Sequence, residues 1–403
     1  MGQSFSVNFF ESLHKEEWRE VRLGEICLKV DYGYTASAIA QNTGTKFLRI
    51  TDIVPSQIDW NAVPYCNIDS KSLEKYLLKV GDIVIARTGA TAGYNKYIKT
   101  KTQCIFASYL IRFRANPNIA NPHFISYCLQ DRGWIEFVNG ALGGSAQPNI
   151  NAKQMSDFTF KLPPLPIQNQ IAEILSSFDD KIDLLHRQNQ TLESLALTLV
   201  RHHFIENPNR NEWKIGKLGD YGKIVCGKTP SKMKKEYFNG GIPFVKIPDM
   251  HNKTFVFKTT DSLTQKGLQS QHTKTLPPLS ICVSCIATVG VVSMNAFESQ
   301  TNQQINSIIP AQEYYRYFLY CFMKESYNEL QAMASGGTAT ANLNTTDFSN
   351  MPILCPDDME LQKFHSLVSV YFDKIYNNSK QIQSLEQMRD LVLSKIFNEK
   401  MEE

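Results

Sequence analysis

Apolar residues recur at alternating steps of four and three positions in two separate segments of this chain. The first segment, at about 167–204, contains no glycine or proline and follows the proline-rich run at 162–166. A heptad pattern sustained over this length predicts one long helix with an apolar seam. The seam residues are Ile171, Leu175, Phe178, Ile182, Leu185, Asn189, Leu192, Ala196 and Leu199.

A second segment with the same spacing follows Pro352 and Pro356. Two matched seams in one chain predict that the helices pair with each other, although each seam packing on its own globular domain is the alternative. Polar residues interrupt the seams at different places, Asn189 in the first and Asn378 with Arg389 in the second, and such residues fix the register of a helix pair. The second seam consists of Phe364, Val368, Tyr371, Ile375, Asn378, Ile382, Leu385, Arg389, Val392 and Ile396.

The stretches at about 17–162 and 211–355 combine strand patterns with helical ones. β-rich runs occur at 83–86 and 281–284, each followed by a turn of threonine and glycine. Asn121 and Pro122 predict the start of a helix toward Phe137, with a counterpart at about 314–333. Each half is therefore predicted to be an α+β domain, and an antiparallel helix pair would relate the two globular domains by a pseudo-twofold axis. The predicted boundaries are 1–162 and 208–355 for these domains, and 163–207 and 356–403 for the helical regions.

The second half of the chain repeats the first at an offset of about 195 residues. Stretches 54–76 and 251–275 show no correspondence, so one scaffold carries two different surfaces, as two distinct binding specificities require. The recurring landmarks are Gly33-x-Thr35-x-Ser37 with Gly227-x-Thr229-x-Ser231, Ala90-Thr91-x-Gly93 with Ala287-Thr288-x-Gly290, and the Gly-Gly loops that begin at Gly143 and Gly336.

Composition and charge limit the possible function classes. The 403 residues are 42% hydrophobic and 20% charged, which is enough for two or three hydrophobic cores. The net charge of +3 is far below that of a strongly basic nucleic-acid binder, so any basic face is local. The nine cysteines form no disulfide framework, and no apolar stretch reaches about 18 residues. We therefore expect a cytoplasmic protein with no membrane association.

Two short motifs would indicate other chemistry, but their context is missing. Residues 222–229 match the phosphate-binding P-loop pattern, yet the first copy has Tyr34 where the second has Lys228, and no flanking strand and helix are predicted. Cys282 and Cys285 form a lone pair whose side chains point to opposite faces of a strand, so we predict no metal site. Signatures of hydrolases, metalloproteases and methyltransferases do not occur, and we predict no catalytic residue.

The remaining candidate chemistry is binding. Basic residues cluster near the turns of both halves and can neutralise phosphates, although a solvated charged face is the commoner explanation. The Gly-Gly loops offer backbone amides, and Gln147 and Asn149 can pair with an adenine edge, whereas a plain connecting turn explains the same residues. Lys101 belongs to the basic cluster of the first half. The candidate DNA-binding residues are Arg87, Lys96, Lys99, Gly143, Gly144, Ser145, Gln147 and Asn149, and then Lys228, Lys232, Lys234, Lys235, Gly336, Gly337, Thr338 and Asn342.

One stretch of the chain returns in degenerate form at 356–375, where Asp357-Asp358-Met359 replaces the proline-rich lead. The first copy reads Leu162-Pro163-Pro164-Leu165-Pro166-Ile167-Gln168-Asn169-Gln170-Ile171-Ala172-Glu173-Ile174-Leu175, followed by Asp179-Asp180-Lys181-Ile182. Over nearly its whole length, the chain resembles the specificity subunit of bacterial and archaeal type I restriction-modification enzymes. The Gly-x-Thr-x-Ser, Ala-Thr-x-Gly and Gly-Gly elements are similar to those of that family's target recognition domains.

The resemblance implies two target recognition domains joined by two long antiparallel coiled-coil helices. It implies that each domain reads a short half-site of double-stranded DNA and that the helices set the unread spacer. It also implies docking of two copies of a DNA adenine methyltransferase subunit and of a motor-nuclease subunit. S-adenosylmethionine, ATP and magnesium would be bound by these partners and not by this chain. The alternatives are a coiled-coil interaction scaffold with no DNA role and a P-loop nucleotide-binding protein.

Overall fold

The chain folds into two compact units, each with its own sheets and helices. The computed structural model describes residues 13, 15–55, 57–142, 149–335 and 341–397. One unit contains the residues up to Asp183 together with those from Leu385 onward, and the other contains residues 184–384. Both units mix sheets and helices, which confirms the predicted α+β class. Among the described residues, no helix is long and apolar enough to cross a membrane.

The first unit is built on an antiparallel sheet with the strand order Cys27–Tyr32, Leu110–Ala115, Asp82–Ala86 and Asn95–Tyr97. Every residue of Asp82–Ala86 is buried, which explains the continuous apolar run there. Two smaller sheets pair Lys46–Leu48 with Cys104–Phe106 in parallel and Arg19–Arg22 with Thr159–Leu162 antiparallel. The shorter α-helices of this unit are Ile50–Ile53, Ser70–Tyr76, Pro122–Cys128, Arg132–Ala141 and Ala152–Ser156.

The second unit repeats this topology with additions. Its main sheet has the order Gly222–Cys226, Ile305–Pro310, Ile281–Ser284, Val292–Asn295 and Phe255–Val256, and the first four of these strands pair as their counterparts do in the first unit. The added strand Phe255–Val256 lies in the stretch 251–275, where the sequence repeat breaks down. A second sheet has the order Asp261–Leu263, Phe238–Val245 and Gln300–Thr301, and Pro352–Cys355 pairs with Lys214–Lys217. The shorter α-helices are Ile247–Met250, Gln265–Gln269, Arg316–Glu325, Tyr327–Ala334 and Thr345–Ser349.

The helix predicted from Asn121 toward Phe137 is capped as expected but is divided in two. The Asn121 side chain accepts hydrogen bonds from two backbone amides of the first turn. A second cap then follows, because the Asp131 carboxylate accepts from the backbone amide of Gly133 at 3.2 Å. The prediction of one continuous helix was therefore wrong, and an N-cap residue type inside the run was the signal. The pieces are Pro122–Cys128 and Arg132–Ala141, and their counterparts are Arg316–Glu325 and Tyr327–Ala334.

Two long helices, Leu165–Val200 and Asp358–Phe397, contribute to both units. We call them the first and second connector helices, and the first continues into a π-helical turn at Arg201–Ile205. Gln168, which is fully buried, ties the start of the first connector helix to the first unit. Its side chain donates to the Pro163 carbonyl oxygen at 2.8 Å and accepts from the backbone amide of Asn121 at 2.8 Å.

In the first unit, the start of the first connector helix packs with the end of the second. Ile171, Leu175 and Ile396 are buried in one core, and Val392 packs against it half-buried. The ring of Phe397, the last described residue of the second connector helix, lies 5.7 Å from that of Phe124. The predicted seam residues of this part of the chain are therefore part of the core of the domain as well as of the helix pair.

In the second unit, the end of the first connector helix packs with the start of the second. The rings of Phe204 and Phe364 lie 5.1 Å apart, while Asn189 contacts Asn378, so the two helices run antiparallel. Phe372, which the heptad pattern passed over in favour of Tyr371, is fully buried and stacks on Tyr317 at 4.2 Å.

Most of the other predicted seam residues, in both units, are also shielded from solvent. Ile182, Leu185, Ala196, Phe364, Val368, Ile375, Asn378 and Ile382 are buried, and Phe178, Asn189, Leu192, Leu199, Tyr371 and Leu385 are half-buried.

One polar residue of each seam contacts the other, which differs from the expectation that they interrupt the two helices at different places. In the second unit, the Asn378 side-chain amide donates to the Asn189 carbonyl oxygen at 2.9 Å. In the first unit, Arg389 donates from Nη1 to an Asp179 carboxylate oxygen at 3.0 Å. Heptad spacing alone could not reveal this, because it does not give the register between two helices.

Candidate nucleic-acid interface

Repeated landmarks of the sequence meet in the first unit. The backbone amide of Tyr34, from the Gly-x-Thr-x-Ser element, donates to the Phe106 carbonyl oxygen at 2.7 Å. The amide of Arg87 donates to the carbonyl oxygen of Tyr109, in the turn that follows Phe106, at 3.0 Å. Thr88 forms a β-bridge with Asn149, which follows the first Gly-Gly loop. We call residues 34, 87–93, 106–109 and 149 the first loop cluster.

The second unit brings the corresponding segments together with the same hydrogen bonds. The backbone amide of Lys228 donates to the Thr301 carbonyl oxygen at 2.9 Å, and the backbone amide of Cys285 donates to the backbone carbonyl oxygen of Gln304 at 2.8 Å. Ile286 forms the bridge with Asn342. We call residues 228–229, 285–290, 301–304 and 342 the second loop cluster. The internal repeat therefore preserves a meeting point of loops.

The glycine of each Gly-x-Thr-x-Ser element is required by a close crossing of two backbones. A Cβ atom on Gly33 would lie 2.2 Å from the Ala107 carbonyl oxygen, and one on Gly227 would lie 2.1 Å from that of Asn302. These distances exclude any side chain. The shared glycine of the motif is thus explained by backbone packing at the loop cluster.

The same geometry removes the context that a P-loop needs. Residues Gly222–Cys226 form a strand antiparallel to Ile305–Pro310, and the segment that would have to be the following helix contains the strand Phe238–Val245. The phosphate-binding pattern requires a loop between a strand and a helix. Within the matching stretch 222–229, residues 222–226 are therefore part of the sheet, and Gly227 is explained by the backbone crossing.

The turns after the two buried strands have matching backbone conformations. Gly89 and Gly93 have φ angles of +75° and +88° in the first loop cluster, and Ala287 and Gly290 have φ angles of +64° and +88° in the second. Positive φ is favourable for glycine but strained for alanine, so Ala287 is held there by its surroundings. Its amide donates to the Ala341 carbonyl oxygen at 3.0 Å.

Side chains of the first loop cluster, together with Tyr32 of the strand Cys27–Tyr32, combine a cation, aromatic rings and an amide. The Arg87 guanidinium lies 5.0 Å from the centroid of the Tyr32 ring, and its Nε donates to the Asn149 side-chain oxygen at 3.2 Å. Tyr109 beside it is 60% exposed. Tyr32 and Tyr109 were missed in the sequence, although a tyrosine between two apolar strand runs was a usable signal. Exposed aromatic and guanidinium groups are the types that stack on or pair with bases.

Lys96 and Lys99 of the candidate set face carboxylates of the first connector helix. Lys99 forms an ion pair with Asp180 at 2.8 Å. Burial lowers the pKa of Lys96, while the nearby carboxylates of Asp179 and Asp183 oppose that shift. Both lysines therefore lie next to carboxylates of the first connector helix, whereas Arg87 lies within the first loop cluster.

The candidate lysines of the second unit lie on an exposed segment that begins in the second loop cluster. Lys228, Lys232, Lys234 and Lys235 are all exposed. Lys234 donates from Nζ to the hydroxyl oxygen of Tyr237 at 3.1 Å and lies 5.2 Å from that ring's centroid. This hydrogen bond raises the pKa of Lys234, so its ammonium group stays charged. The segment therefore carries four exposed ammonium groups, a group type that can neutralise phosphates.

A buried pair of amides supports the start of this segment. The Gln271 side chain donates to the Lys228 carbonyl oxygen and to Gln300 Oε1. Gln300 is fully buried and donates from Nε2 to the carbonyl oxygens of Leu268 and Gln271. Sequence reasoning missed both glutamines, since nothing in their spacing distinguishes a buried amide from an exposed one.

The other candidates fall into two groups. Asn342 lies in the second loop cluster, where its backbone forms a β-bridge with Ile286 and its amide donates to the Ala334 carbonyl oxygen at 3.0 Å. The predicted loop residues Gly143, Gly144, Ser145, Gln147, Gly336, Gly337 and Thr338 lie outside the described residues.

The cysteine pair is part of the core. Cys282 of the strand Ile281–Ser284 lies in one hydrophobic cluster, and Cys285, which directly follows that strand, lies in another. Burial raises the pKa of the Cys282 thiol to about 12 and that of Cys285 to about 11. Both therefore carry a proton near neutral pH, when neither is a good metal ligand. Across the described ranges, no group of histidine, cysteine and carboxylate side chains could hold a metal ion.

Known proteins give a consistent comparison. A family model described as the type I restriction modification DNA specificity domain matches residues 15–194 and again 210–387. The type I restriction enzyme HindI specificity subunit of Haemophilus influenzae is 30% identical over 463 residues, covering 95% of this chain and 99% of that protein. This chain belongs to the type I restriction-modification specificity subunit family. A specificity subunit is the non-catalytic component of its complex.

Further relatives agree with the assignment. The type I restriction enzyme MjaIX specificity subunit of Methanocaldococcus jannaschii is 29% identical over 295 residues, covering 68% of this chain and 67% of that protein. The crystal structure of the type I restriction-modification system S subunit from M. genitalium matches 95% of this chain and 97% of its own, with a TM-score of 0.56 and 14% identity. That similarity concerns the fold.

Proposed function

We propose that this specificity subunit reads a bipartite, asymmetric sequence in double-stranded DNA, with one loop cluster for each half-site. The observation that carries the proposal is that the two loop clusters share their backbone and differ in their side chains. Where the first has Arg87 and Tyr109, the second has Cys285 and Gln304 at the positions joined by the same hydrogen bond. Base edges are distinguished by side-chain donors and acceptors, so different side chains on one scaffold give different half-sites.

Charge in the second unit supports contacts to the DNA backbone as well. The exposed lysines at 228, 232, 234 and 235 form a phosphate-binding segment beside the second loop cluster. Phosphate contacts position a protein on DNA, and base contacts then specify the sequence. A chain with a net charge of only +3 can bind DNA in this way, because the cations that matter are local.

In this proposal, the connector helices act as a spacer that keeps the contacts to the two half-sites a fixed distance apart along the DNA. Residues 1–162 and 208–355 are the two target recognition domains, and 163–207 and 356–403 are the helical spacer regions. The polar contacts Asn189–Asn378 and Arg389–Asp179 support a single register of the two helices. The length of the unread spacer in the DNA would follow from that register.

The chain directs chemistry that its partners perform. Two copies of a DNA adenine methyltransferase subunit would use S-adenosylmethionine for N6 methylation. A motor-nuclease subunit would use ATP and magnesium for cleavage. The chain itself supplies recognition and docking, in a cytoplasmic complex with no membrane contact.

Mapping of N6-methyladenine tests the proposal. Genomic DNA is compared from cells that express the methyltransferase subunit with this chain and from cells that express it alone. The expected result is methylation in one split motif, with two different half-sites and a constant spacer, only when this chain is present. Methylation in a single undivided motif, or the same methylation without this chain, would contradict the proposal.

A binding measurement separates recognition from a scaffold role. The complex of this chain with the methyltransferase subunit is titrated with random-sequence duplex at low salt and with a duplex that carries the mapped motif. Tighter binding to the motif is expected. Equal, salt-insensitive affinities would favour an interaction scaffold without a DNA role.

A further inference from the structure

The guanidinium of Arg87 is held from two sides. It lies 5.0 Å from the centroid of the Tyr32 ring, and its Nε donates to Asn149 Oδ1 at 3.2 Å. The Tyr32 hydroxyl oxygen in turn accepts from the backbone amide of Ala152 at 3.0 Å, which fixes the ring. The plane of the guanidinium is therefore set before any ligand arrives.

The backbone of Arg87 is equally fixed. Its amide donates to the Tyr109 carbonyl oxygen at 3.0 Å, and its carbonyl oxygen accepts from the amide of Ile150 at 2.9 Å. Arg87 directly follows the buried strand Asp82–Ala86 and so continues a rigid element. A side chain on a rigid element, with its own orientation fixed by neighbours, is suited to selective recognition.

Two donors of Arg87 remain uncommitted within the described part of the chain. Nε is used by Asn149, and no described residue accepts from Nη1 or Nη2. These two nitrogens form an end-on fork of parallel donors. Guanine offers two adjacent acceptors, O6 and N7, on its major-groove edge, and no other base offers such a pair. The acceptors of a base edge lie in a single plane, whereas the oxygens of a phosphate point in several directions. A guanidinium whose plane is fixed is therefore better matched to a base edge.

We infer that Arg87 reads a guanine in the first half-site through Nη1 and Nη2, with Tyr32 and Asn149 as positioning residues. This assignment rests on the proposed function. Because Asn149 Oδ1 already accepts from Arg87, Asn149 orients the arginine and does not pair in two places with an adenine. The position that corresponds to Arg87 in the second unit is Cys285, which is 1% exposed. This guanine contact therefore has no counterpart at the same position of the second unit.

Methylation maps of variants test the assignment in the complete complex. Arg87→Lys keeps the charge and removes the fork, so one guanine position of the first half-site should become degenerate while the second half-site stays unchanged. Arg132→Gln is the control, because Arg132 is an exposed arginine of the same unit that pairs only with Glu136 among the described residues. An unchanged first half-site in Arg87→Lys, or a change at a position other than guanine, would overturn the assignment.

The positioning role of Asn149 has its own readout. Asn149→Leu removes the acceptor for Nε and should produce the Arg87→Lys pattern at the same guanine. Asn149→Asp keeps an oxygen acceptor and should retain the guanine. Loss of discrimination at some other base in Asn149→Leu would contradict the role of Asn149 as a support for Arg87.

A second measurement needs no variant of the protein. The wild-type complex is titrated with duplexes in which each guanine of the first half-site is replaced in turn by 7-deazaguanine, which lacks the N7 acceptor. One replacement should weaken binding, by at most the roughly 5- to 150-fold expected for loss of a whole bidentate base contact, because O6 remains as an acceptor. The Arg87→Lys complex should show no such loss at that position. If no replacement weakens wild-type binding, Arg87 does not read guanine.

Failure of this assignment differs from failure of the proposed function. If the wild-type map shows two half-sites and only the Arg87 and 7-deazaguanine results fail, recognition stands and the residue assignment falls. If the wild-type map shows no split motif, the proposed function falls and the assignment falls with it.

Discussion

Asn378 donates a hydrogen bond to Asn189 across 2.9 Å between the two connector helices of the second unit. Asn378 is only 1% exposed, so its side chain depends on this partner and on Gln188, which accepts from the same amide at 3.4 Å. Asn189 also donates to the hydroxyl oxygen of Ser379 at 3.3 Å. The buried amide of Asn378 is satisfied in one register of the helices and unsatisfied in others, so the pair selects that register.

Removal of one partner should cost more than removal of both. Asn378→Leu leaves Asn189 without its main partner and should lower the free energy of unfolding by about 1–3 kcal/mol. The double variant Asn189→Leu with Asn378→Leu should recover most of that loss, because no amide is left unsatisfied. Urea unfolding followed by circular dichroism, arranged as a double-mutant cycle, measures the coupling. Additive effects of the two substitutions would show that the contact does not matter.

A buried arginine should be essential for the stability of the first unit. The Arg112 side chain is 1% exposed and forms two hydrogen bonds with Asp31, at 2.9 and 2.7 Å. Arg112→Met leaves Asp31 with only the exposed Lys29 as a cation, while Asp82 keeps Arg114, and the loss of the buried pair should destabilise the unit by up to about 3–5 kcal/mol. Arg132→Gln, at an exposed pair, should change stability by less than about 1 kcal/mol. Urea unfolding followed by tryptophan fluorescence reports on this unit, which contains Trp18, Trp60 and Trp134. Equal effects of the two variants would contradict the prediction.

The first unit should lose stability as the pH falls below neutral. Burial lowers the pKa of His123, which stacks between Tyr97 at 4.3 Å and Tyr127 at 4.9 Å, to about 4. Since an unfolded histidine has a pKa of about 6.5, the unfolded state binds more protons between these values. The stability is complete above pH 6.5 and is lost progressively toward pH 4.

The expected loss from His123 is about 2 kcal/mol between pH 7.5 and pH 5. Urea unfolding at the two pH values, followed by tryptophan fluorescence, measures it. The variant His123→Phe should remove that part of the pH dependence, while other titrating groups contribute equally to both proteins. The same pH dependence in the variant would show that His123 does not cause it.

Lysines of the second unit should contribute to affinity without affecting sequence preference. Lys234→Ala removes one exposed ammonium group and should lower the slope of log K against log salt by about 0.9, with equal effects on motif and random duplexes. Lys363→Ala is a suitable control, because Lys363 pairs with Glu360 on the second connector helix. Fluorescence anisotropy over a range of salt concentrations measures both slopes. An unchanged slope for Lys234→Ala would mark Lys234 as a solvated surface residue.

Much of the fold could be predicted because periodicity and the internal repeat report local structure directly. The heptads at 171–199 and 364–396 fall on the two connector helices, and the runs at 83–86 and 281–284 fall on buried strands. The break at Asp131 was missed, because a single capping residue is a weaker signal than a long apolar period. Phe372 was missed because a strict heptad describes contact with one partner helix, whereas this part of the second connector helix also packs on Tyr317.

The candidate site could be predicted only in outline. The repeated glycines marked the loops that meet in each unit, since Gly33 and Gly227 record a backbone crossing. Arg87 was recognised as a cation, but its support by Tyr32 and Asn149 depends on long-range contacts that spacing does not encode. Lys99 looked equivalent to Arg87 in the sequence, although it pairs with Asp180.

In the proposed function, the connector helices set the spacing between two independent half-site contacts. Asn189 lies opposite Asn378 in the second unit, and Asp179 lies opposite Arg389 in the first. Deletion of one heptad from each helix, 182–188 and 379–385, keeps Asn189 opposite Asn378 and preserves the seam. It removes about 10.5 Å of helix length, which corresponds to about three base pairs of DNA.

Methylation mapping of DNA modified by the complex with this paired deletion is the most direct test. We expect both half-sites to remain those of the wild-type complex and the spacer to be shorter by up to about three base pairs, because the loop clusters are untouched. A deletion of only one heptad, which leaves the helices mismatched, is the control and should reduce methylation. A changed half-site, or an unchanged spacer in an active paired-deletion complex, would contradict the account.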